Sequence, residues 1–309
     1  MFREIIIVRA IIPVAGHGTR LEPHTLTLQK CLLPVGGKPV LEHILDRITN
    51  AGITDITLII GHFGEQVVEF CTSYPNAKFS FVEQTERLGL GHAIYQGLGD
   101  LDEPVLIVLG DAILELDYKK LLKSQHSTIG VAPVPDPERF GIVEIENNQI
   151  TKFWEKPDNP PSNLAISGIY YISSQRELMK GIEYLIENNI RTKNEYQLTD
   201  AFTVMLDNSH IFKALKIDAC LDCGIPETML STNKILLESE GGNAIHHSSN
   251  VKDSSLKYCT ISEDCDIEES QLENVIVLRG GEVINQKIKN TIVGFDEIFN
   301  LAQTEELEL

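Results

Sequence analysis

Basic residues are scarce in this chain: 26 Lys and Arg stand against 45 Asp and Glu over 309 residues, a formal net charge of −19. Nucleic acid and anionic membranes both demand an extended basic face, so neither is expected as a partner. One nucleotide in a locally basic cleft remains compatible with that balance. Cysteine is sparse as well, and six in a chain this long make no dense disulfide framework, so a reducing cytoplasm is the expected setting. The first ten residues carry charges at Arg3, Glu4 and Arg9 with no long apolar core after them, so no secretory signal or membrane span is expected. Two familiar phosphate loops are also missing. Nothing supplies the P-loop run of Gly, four residues, then Gly-Lys-Ser/Thr, and Leu21 stands where a dinucleotide fingerprint needs its third glycine. No clear acidic residue ends a second strand about 20 residues on, as ribose recognition there requires.

The bulk composition, 42% hydrophobic and 23% charged, is that of a globular chain able to hold one large α/β domain plus something small. Strand-like apolar runs at 10–15, 55–60, 78–83, 105–109, 128–134, 166–172 and 211–217 alternate with helix-like patterns. The latter fall near 40–51, 63–73, 90–99, 117–125, 175–189, 197–207 and 226–239. This alternation predicts an α/β fold, a mostly parallel Rossmann-like sheet with helices on both faces. Ligands of such sheets sit at the carboxyl ends of strands. Gly16, the Gln84 segment and Asp111 each follow an apolar run and are expected at one crevice.

The first of these carries the most chemistry. Gly16-His17-Gly18-Thr19-Arg20 follows the apolar run 10–15, and Lys30 comes ten residues after Arg20. Glycines let backbone N–H groups approach a phosphate, Arg20 offers a fork that suits phosphate oxygens, and Lys30 adds a compact charge. Taken alone, such a turn is as often merely tight. Its continuation decides the matter: Leu21-Glu22-Pro23-His24-Thr25, then Lys30-Cys31-Leu32-Leu33-Pro34-Val35-Gly36-Gly37-Lys38-Pro39. This resembles the signature of the sugar-1-phosphate nucleotidyltransferases. The resemblance continues in order through Gln84–Ala93, Leu109-Gly110-Asp111, Phe140–Val143, Glu155-Lys156-Pro157, Ser162–Ile166 with Gly168–Tyr170, Tyr196–Ala201 and Asp222–Glu227.

The resemblance implies that a sugar-1-phosphate oxygen attacks the α-phosphorus of a nucleoside triphosphate and pyrophosphate leaves. A phosphate oxygen needs no general base at neutral pH, so catalysis reduces to holding two polyanions together and neutralising charge. Arg20 is then expected on the β- and γ-phosphates above the Ala15, Gly16, Gly18 and Thr19 backbone. Lys30 bridges α-phosphate and pyrophosphate, and Asp111 and Asp222 hold Mg²⁺. Gln84 and Gly89 read the pyrimidine, while Lys156 grips the sugar phosphate beside Gly141, Glu155 and Ile166. The dull reading of Asp111 is a capping residue and that of Lys156 a solvated loop lysine; the collinear motifs favour function. Leu28-Gln29 replaces a proline-containing stretch common before the lysine, and Leu221 replaces an aromatic often found before the late aspartate.

Substrate choice divides. Gly89–Ala93 and Tyr196–Asp200 look like glucose-1-phosphate uridylyltransferases. The compact spacing to Lys30 and the length look like glucose-1-phosphate thymidylyltransferases, and dTTP is favoured over UTP. The two bases share a Watson–Crick edge and differ by one methyl, worth about 1–3 kcal/mol of discrimination. A homo-oligomer is expected. A non-catalytic regulatory homologue remains the alternative from another class, opposed by the survival of Arg20, Lys30, Asp111, Lys156 and Asp222.

The pattern changes after Gly241-Gly242-Asn243, which divides a catalytic domain at 1–242 from a tail at 243–309. From about residue 250 apolar residues recur six apart: Cys259 and Cys265, Ile261 and Ile267, Val277 and Val283, and Leu272, Leu278 and Ile284. Such repeats predict stacked coils of a short β-helix, left-handed by resemblance to the family, with few of the glycines usual at its turns. The tail is too short for a separate acyltransferase domain; a cap or oligomer contact is the expected role. Cys220-Leu221-Asp222-Cys223 is a minor candidate for a redox pair or, completed by Cys259 and Cys265, for a zinc site, beside the packing role that the repeat gives those last two cysteines. His17, His62 and His92 have no ligand spacing.

Overall fold

The computed structural model describes residues 8–294. Arg3, Glu4 and the tail from 295 to 309 lie outside the described residues. Two compact units form: one takes the chain up to Gly16 with Leu45–Gly110 and Leu114–Cys220, the other His17–Ile44, Asp111–Ile113 and the chain from Leu221 onward. The chain passes from one to the other inside three of the motifs, between Gly16 and His17, Gly110 and Asp111, and Cys220 and Leu221.

The first unit is built on a nine-stranded sheet. Its strands are β1 (Arg9–Pro13), β2 (Asp55–Ile60), β3 (Lys78–Glu83), β4 (Val105–Val108), β5 (Ser127–Pro133), β6 (Gly141–Glu146), β7 (Gln149–Glu155), β8 (Leu164–Ile172) and β9 (Phe212–Lys216). They lie in the order β3-β2-β1-β4-β8-β5-β9-β7-β6. The run β3-β2-β1-β4 is parallel throughout, and β5 and β9 are parallel to each other. Strand β8 is antiparallel to both β4 and β5, and β7 to both β9 and β6. Seven of the nine strands therefore point one way, as a mostly parallel sheet requires, and β7 and β8 make the sheet mixed. For β7 the reason is local. Strands β6 and β7 form a hairpin whose turn, Asn147-Asn148, has φ of 50° and 61° at both central residues, a geometry asparagine tolerates.

Helices α1 (Val40–Asn50), α2 (Gly64–Ser73), α3 (Leu90–Gly97), α4 (Gln175–Glu187) and α5 (Leu198–Asp207) accompany the sheet. The expected helix at 117–125 is only Tyr118–Leu121, capped by the Asp117 side chain on Lys120 N–H. One face of the sheet carries Ile11, Ile59, Val105, Ile107 and Ile129, packed with Ala93 and Ile94 of α3, Leu178 and Ile182 of α4, and Phe202 and Met205 of α5. Phe153, Tyr170, Phe202 and Phe212 interlock there with centroids 5.2–5.6 Å apart. The alternate residues Ala10, Ile12, Ile56, Leu58 and Leu106 are equally buried, as period-two strands require when both faces are covered.

The second unit joins three chain segments through one buried amide. Asn233, on α6 (Pro226–Glu240), accepts from Gly36 N–H at 2.9 Å and from the Thr260 hydroxyl at 2.6 Å, and donates to the Tyr258 carbonyl at 3.0 Å. After α6 come β10 (Ala244–Ile245), β11 (Asn250–Lys252), β12 (Ser255–Lys257), β13 (Thr260–Ile261), β14 (Asp266–Glu268), β15 (Gln271–Val277), β16 (Glu282–Ile284) and β17 (Lys287–Val293). All pair in parallel, consistent with a β-helix-like tail.

The stacking period is 16 residues rather than a multiple of six: Val251 lies under Ile267 and Val283, and Ile261 under Val277 and Val293. Residues six apart, such as Val277 and Val283, are inward neighbours on consecutive faces of one coil, and Ile284 is half exposed. The scarcity of glycine has an answer too. Asp253, Glu269 and Asn285 form one corner column and Tyr258, Asn274 and Asn290 another, all at φ between 48° and 57°. Cys259 and Cys265 are buried in this core, and burial pushes both thiols up. That favours packing over metal ligation, and no cluster of three or more His, Cys, Asp or Glu able to hold a metal exists among the described residues. No helix among them is long and apolar enough to cross a membrane.

Candidate functional site

In the second unit, Gly18 takes φ of 70° at the start of the turn Thr19–Leu21. A Cβ there would lie 2.8 Å from Lys30 Cβ and 2.9 Å from the Thr25 methyl. The glycine therefore packs directly on the stem of Lys30, and Thr25 Oγ1 ties the turn by donating to Gly18 O at 2.9 Å. On the other side of Lys30, Gln29 caps the turn Lys30–Leu32 by accepting from Cys31 N–H at 2.6 Å. The sequence departure at Gln29 thus has a use: an amide cap starts the turn that carries the lysine. So held, Lys30 Nζ meets Asp111 Oδ2 at 2.8 Å, with side chains 16% and 32% exposed.

Asp222 stands nearby in the same unit, since Cys223 N–H donates to the Asp111 carbonyl at 2.9 Å. Its Oδ1 accepts from Gly224 N–H at 3.1 Å. A Cβ on Gly224 would sit 3.1 Å from that oxygen and 3.3 Å from an Arg20 guanidinium nitrogen. Arg20, Lys30, Asp111 and Asp222 are therefore brought together; Thr19 beside them is exposed. Asp111 and Asp222 present hard oxygen donors on adjoining backbone. That fits an ion such as Mg²⁺, which binds through one or two carboxylates and takes its other ligands from water and phosphate.

The first unit contributes differently, through missing side chains. Ala15 is buried against Gly61, and Gly16 is exposed. Gln84 follows β3, its N–H donating to Ile60 O at 2.8 Å. Gly89 opens α3 at φ of 112°, where a Cβ would meet Tyr196 O at 2.7 Å. The Tyr196 backbone is pinned there, donating to Leu88 O at 2.7 Å and accepting from Gly91 N–H at 2.8 Å. Gly141 pairs with Glu155 across the β6–β7 hairpin. A Cβ on it would lie 3.0 Å from the Thr199 methyl, 3.2 Å from Ile166 and 3.4 Å from Glu155 Oε2.

Glu155 is only 9% exposed; Thr199 Oγ1 donates to its Oε2 at 2.8 Å, and Lys156 Nζ lies 3.5 Å from its Oε1. Lys156 itself has φ of 41°, backbone strain of the kind that gathers at ligand sites. Thr199, Gln29 and Gly224 are the residues that sequence reasoning left without a role. Thr199 lay inside the Tyr196–Ala201 motif, so its hydroxyl was a visible signal. Asp200 beside it is half-buried, and burial raises its carboxyl above the usual range against an opposing hydrogen bond from Thr192.

A mixed α/β sheet with glycine-shaped motifs at its strand ends, followed by parallel coils, defines a nucleotidyltransferase fold. The chain belongs to the nucleotidyl transferase family, whose sequence model matches residues 9–239. It is 34% identical over 231 residues to the bifunctional protein GlmU of Methanocaldococcus jannaschii, covering 74% of this chain and 54% of that protein. It is 28% identical over 229 residues to the UTP–glucose-1-phosphate uridylyltransferase AglF of Haloferax volcanii, covering 71% and 92%. The chain thus spans about half the length of the GlmU relatives it matches. Among solved structures it resembles a UDP-glucose pyrophosphorylase complexed with UDP-glucose, with a TM-score of 0.65, 26% identity and coverage of 75% and 99%. It equally resembles a Bacillus anthracis protein described as a glucose-1-phosphate thymidylyltransferase, with a TM-score of 0.65, 27% identity and coverage of 74% and 95%.

Proposed function

We propose that this chain joins a pyrimidine nucleoside triphosphate, dTTP first, to glucose-1-phosphate, giving a nucleotide sugar and pyrophosphate. The observation that carries this reading is the Lys30–Asp111 pair at 2.8 Å with Arg20 and Asp222 beside it. Phosphoryl transfer between two anions needs a cation held in place and carboxylates able to take a metal. In this reading Lys30 neutralises charge growing between the α-phosphate and the departing pyrophosphate, and Arg20 holds the β- and γ-phosphates. The backbone from Ala15 through Thr19 cradles them. Asp111 and Asp222 would hold Mg²⁺, which when bound would supply Lewis-acid neutralisation of phosphate charge. Gln84 and Gly89 read the base edge. Glu155, aimed by Thr199, takes sugar hydroxyls beside Gly141 and Ile166, while Lys156 holds the sugar phosphate.

UTP is the second reading, favoured by the uridylyl name of the Haloferax volcanii relative and by the UDP-glucose complex. We also assign catalysis to residues 1–242, a left-handed coil to the tail, a homo-oligomeric state and a cytoplasmic setting. Pyrophosphate release with Mg²⁺, glucose-1-phosphate and each of dTTP, UTP, CTP, GTP and ATP tests the reading. Turnover with one pyrimidine triphosphate, abolished by EDTA, supports it and identifies the base. Binding of nucleotide sugars without any turnover refutes it in favour of a regulatory homologue.

A further inference from the structure

A cavity of about 580 Å³ lies in the second unit between α6 and the corners of the stacked coils, within the size range of small-molecule sites. None of its residues has a part in the proposed transfer. One wall is a single stripe of α6, with Lys234, Ile235 and Glu238 at helical spacing. Ile235 stays 49% exposed there. The opposite wall is the corner column in which Tyr258, Asn274 and Asn290 follow one another on successive coils.

That column leaves an unfinished ladder. Asn274 Nδ2 donates to Asn290 Oδ1 at 2.9 Å. The coil before it places Tyr258 at the same corner, where a third asparagine would have supplied the next amide donor. Asn274 Oδ1 is consequently buried without a hydrogen-bond partner among the described residues, and a buried acceptor of that kind calls for an explanation. Two lysines, Lys234 and Lys289, and two carboxylates, Glu238 and Glu273, line the same cavity. Glu273 is neutralised by Lys289 at 2.6 Å and by Lys257 at 3.4 Å. Lys234 is held loosely, 4.0 Å from Glu238 and 5.3 Å from the centre of the Tyr258 ring.

From this juxtaposition we infer that the cavity is a second ligand site for a small phosphorylated polyol. A hydroxyl of the ligand donates to Asn274 Oδ1, its carbon skeleton covers Ile235, and its phosphate draws Lys234 away from the weak pair with Glu238. An exposed ammonium exchanges a 4.0 Å carboxylate contact for a phosphate at little cost.

The test is calorimetric titration of the full chain with glucose 6-phosphate, inorganic phosphate and glucose as separate probes. Glucose 6-phosphate is expected to bind once per chain and more tightly than either of the others. Asn274→Gly, which suits the left-handed corner, and Lys234→Met, on an exposed helix stripe, should each weaken it by about tenfold. Lys30→Ala and Glu155→Gln should leave it unchanged. The inference is overturned if no heat appears at millimolar probe or if binding survives Lys234→Met. It is equally overturned if the Lys30 or Glu155 variant abolishes binding, which would assign the ligand to the candidate transfer site. Inorganic phosphate binding as tightly as the sugar phosphate would remove the polyol.

Discussion

The two groups of candidate residues are made in opposite ways. In the second unit the proposed work falls to charge: the turn at Gly18 and the cap at Gln29 position Arg20 and Lys30, and Asp111 and Asp222 stand on adjoining backbone. In the first unit, Lys156 apart, it falls to shape: Gly89 and Gly141 let Tyr196, Thr199 and Ile166 pack directly on the backbone, and the one carboxylate, Glu155, is nearly buried and held by a hydroxyl. The difference follows the ligands each is proposed to meet. Phosphates are charged and tolerant of position, so long flexible cations serve them. A base edge and sugar hydroxyls are neutral and directional, so they demand backbone and short side chains fixed within a fraction of an ångström.

Breaking the charged half should have the largest effect. Lys30→Ala is expected to lower kcat by about 10³-fold with an unchanged circular dichroism spectrum; a loss below tenfold would move the chemistry away from this pair. The glycine half should fail through the fold instead. Gly89→Ala places a Cβ 2.7 Å from Tyr196 O at φ of 112°, and urea unfolding should register a loss of about 1–3 kcal/mol. If that variant is as stable as the parent, the close approach at Tyr196 is not maintained in solution.

Smaller effects sharpen the contrast. Thr199→Val removes the donor that aims Glu155. The KM for the sugar phosphate should rise about tenfold while that for the triphosphate stays put, one hydrogen bond to a charged group being worth that much. Equal rises in both would mean that Thr199 serves stability alone. The smallest effect is expected at Asp200. Burial raises its carboxyl pKa from 3.8, so the folded chain holds that proton more tightly than the unfolded chain. Its stabilising contribution is full below about pH 4 and is lost as pH rises through the folded value. Asp200→Asn should therefore raise the melting temperature near neutrality and change it little in acid. A shift of equal size at both ends would point to packing rather than ionisation.

The contrast also explains what could be read in advance. Charged residues at set spacings announce themselves, and all four of the second unit's candidates were visible in the chain. Thr199 was visible only as part of a motif, because its partner Glu155 is distant in sequence and the hydrogen bond depends on how α5 meets the β6–β7 hairpin. That hairpin was itself missed. The Asn147-Asn148 turn between two short runs containing apolar residues is its signal, and no strand was expected between 135 and 165.

By itself the sequence determined most kinds of element, the family and most inward residues of the tail, because periodicity, glycine spacing and charge act over a few residues. Tertiary structure alone decided the antiparallel course of β8, the 16-residue climb of the coils, the Asn233 junction and the unmet oxygen of Asn274. Each of these depends on register between segments far apart in the chain. Register is chosen by the summed fit of many buried contacts, and no short stretch of residues contains that sum.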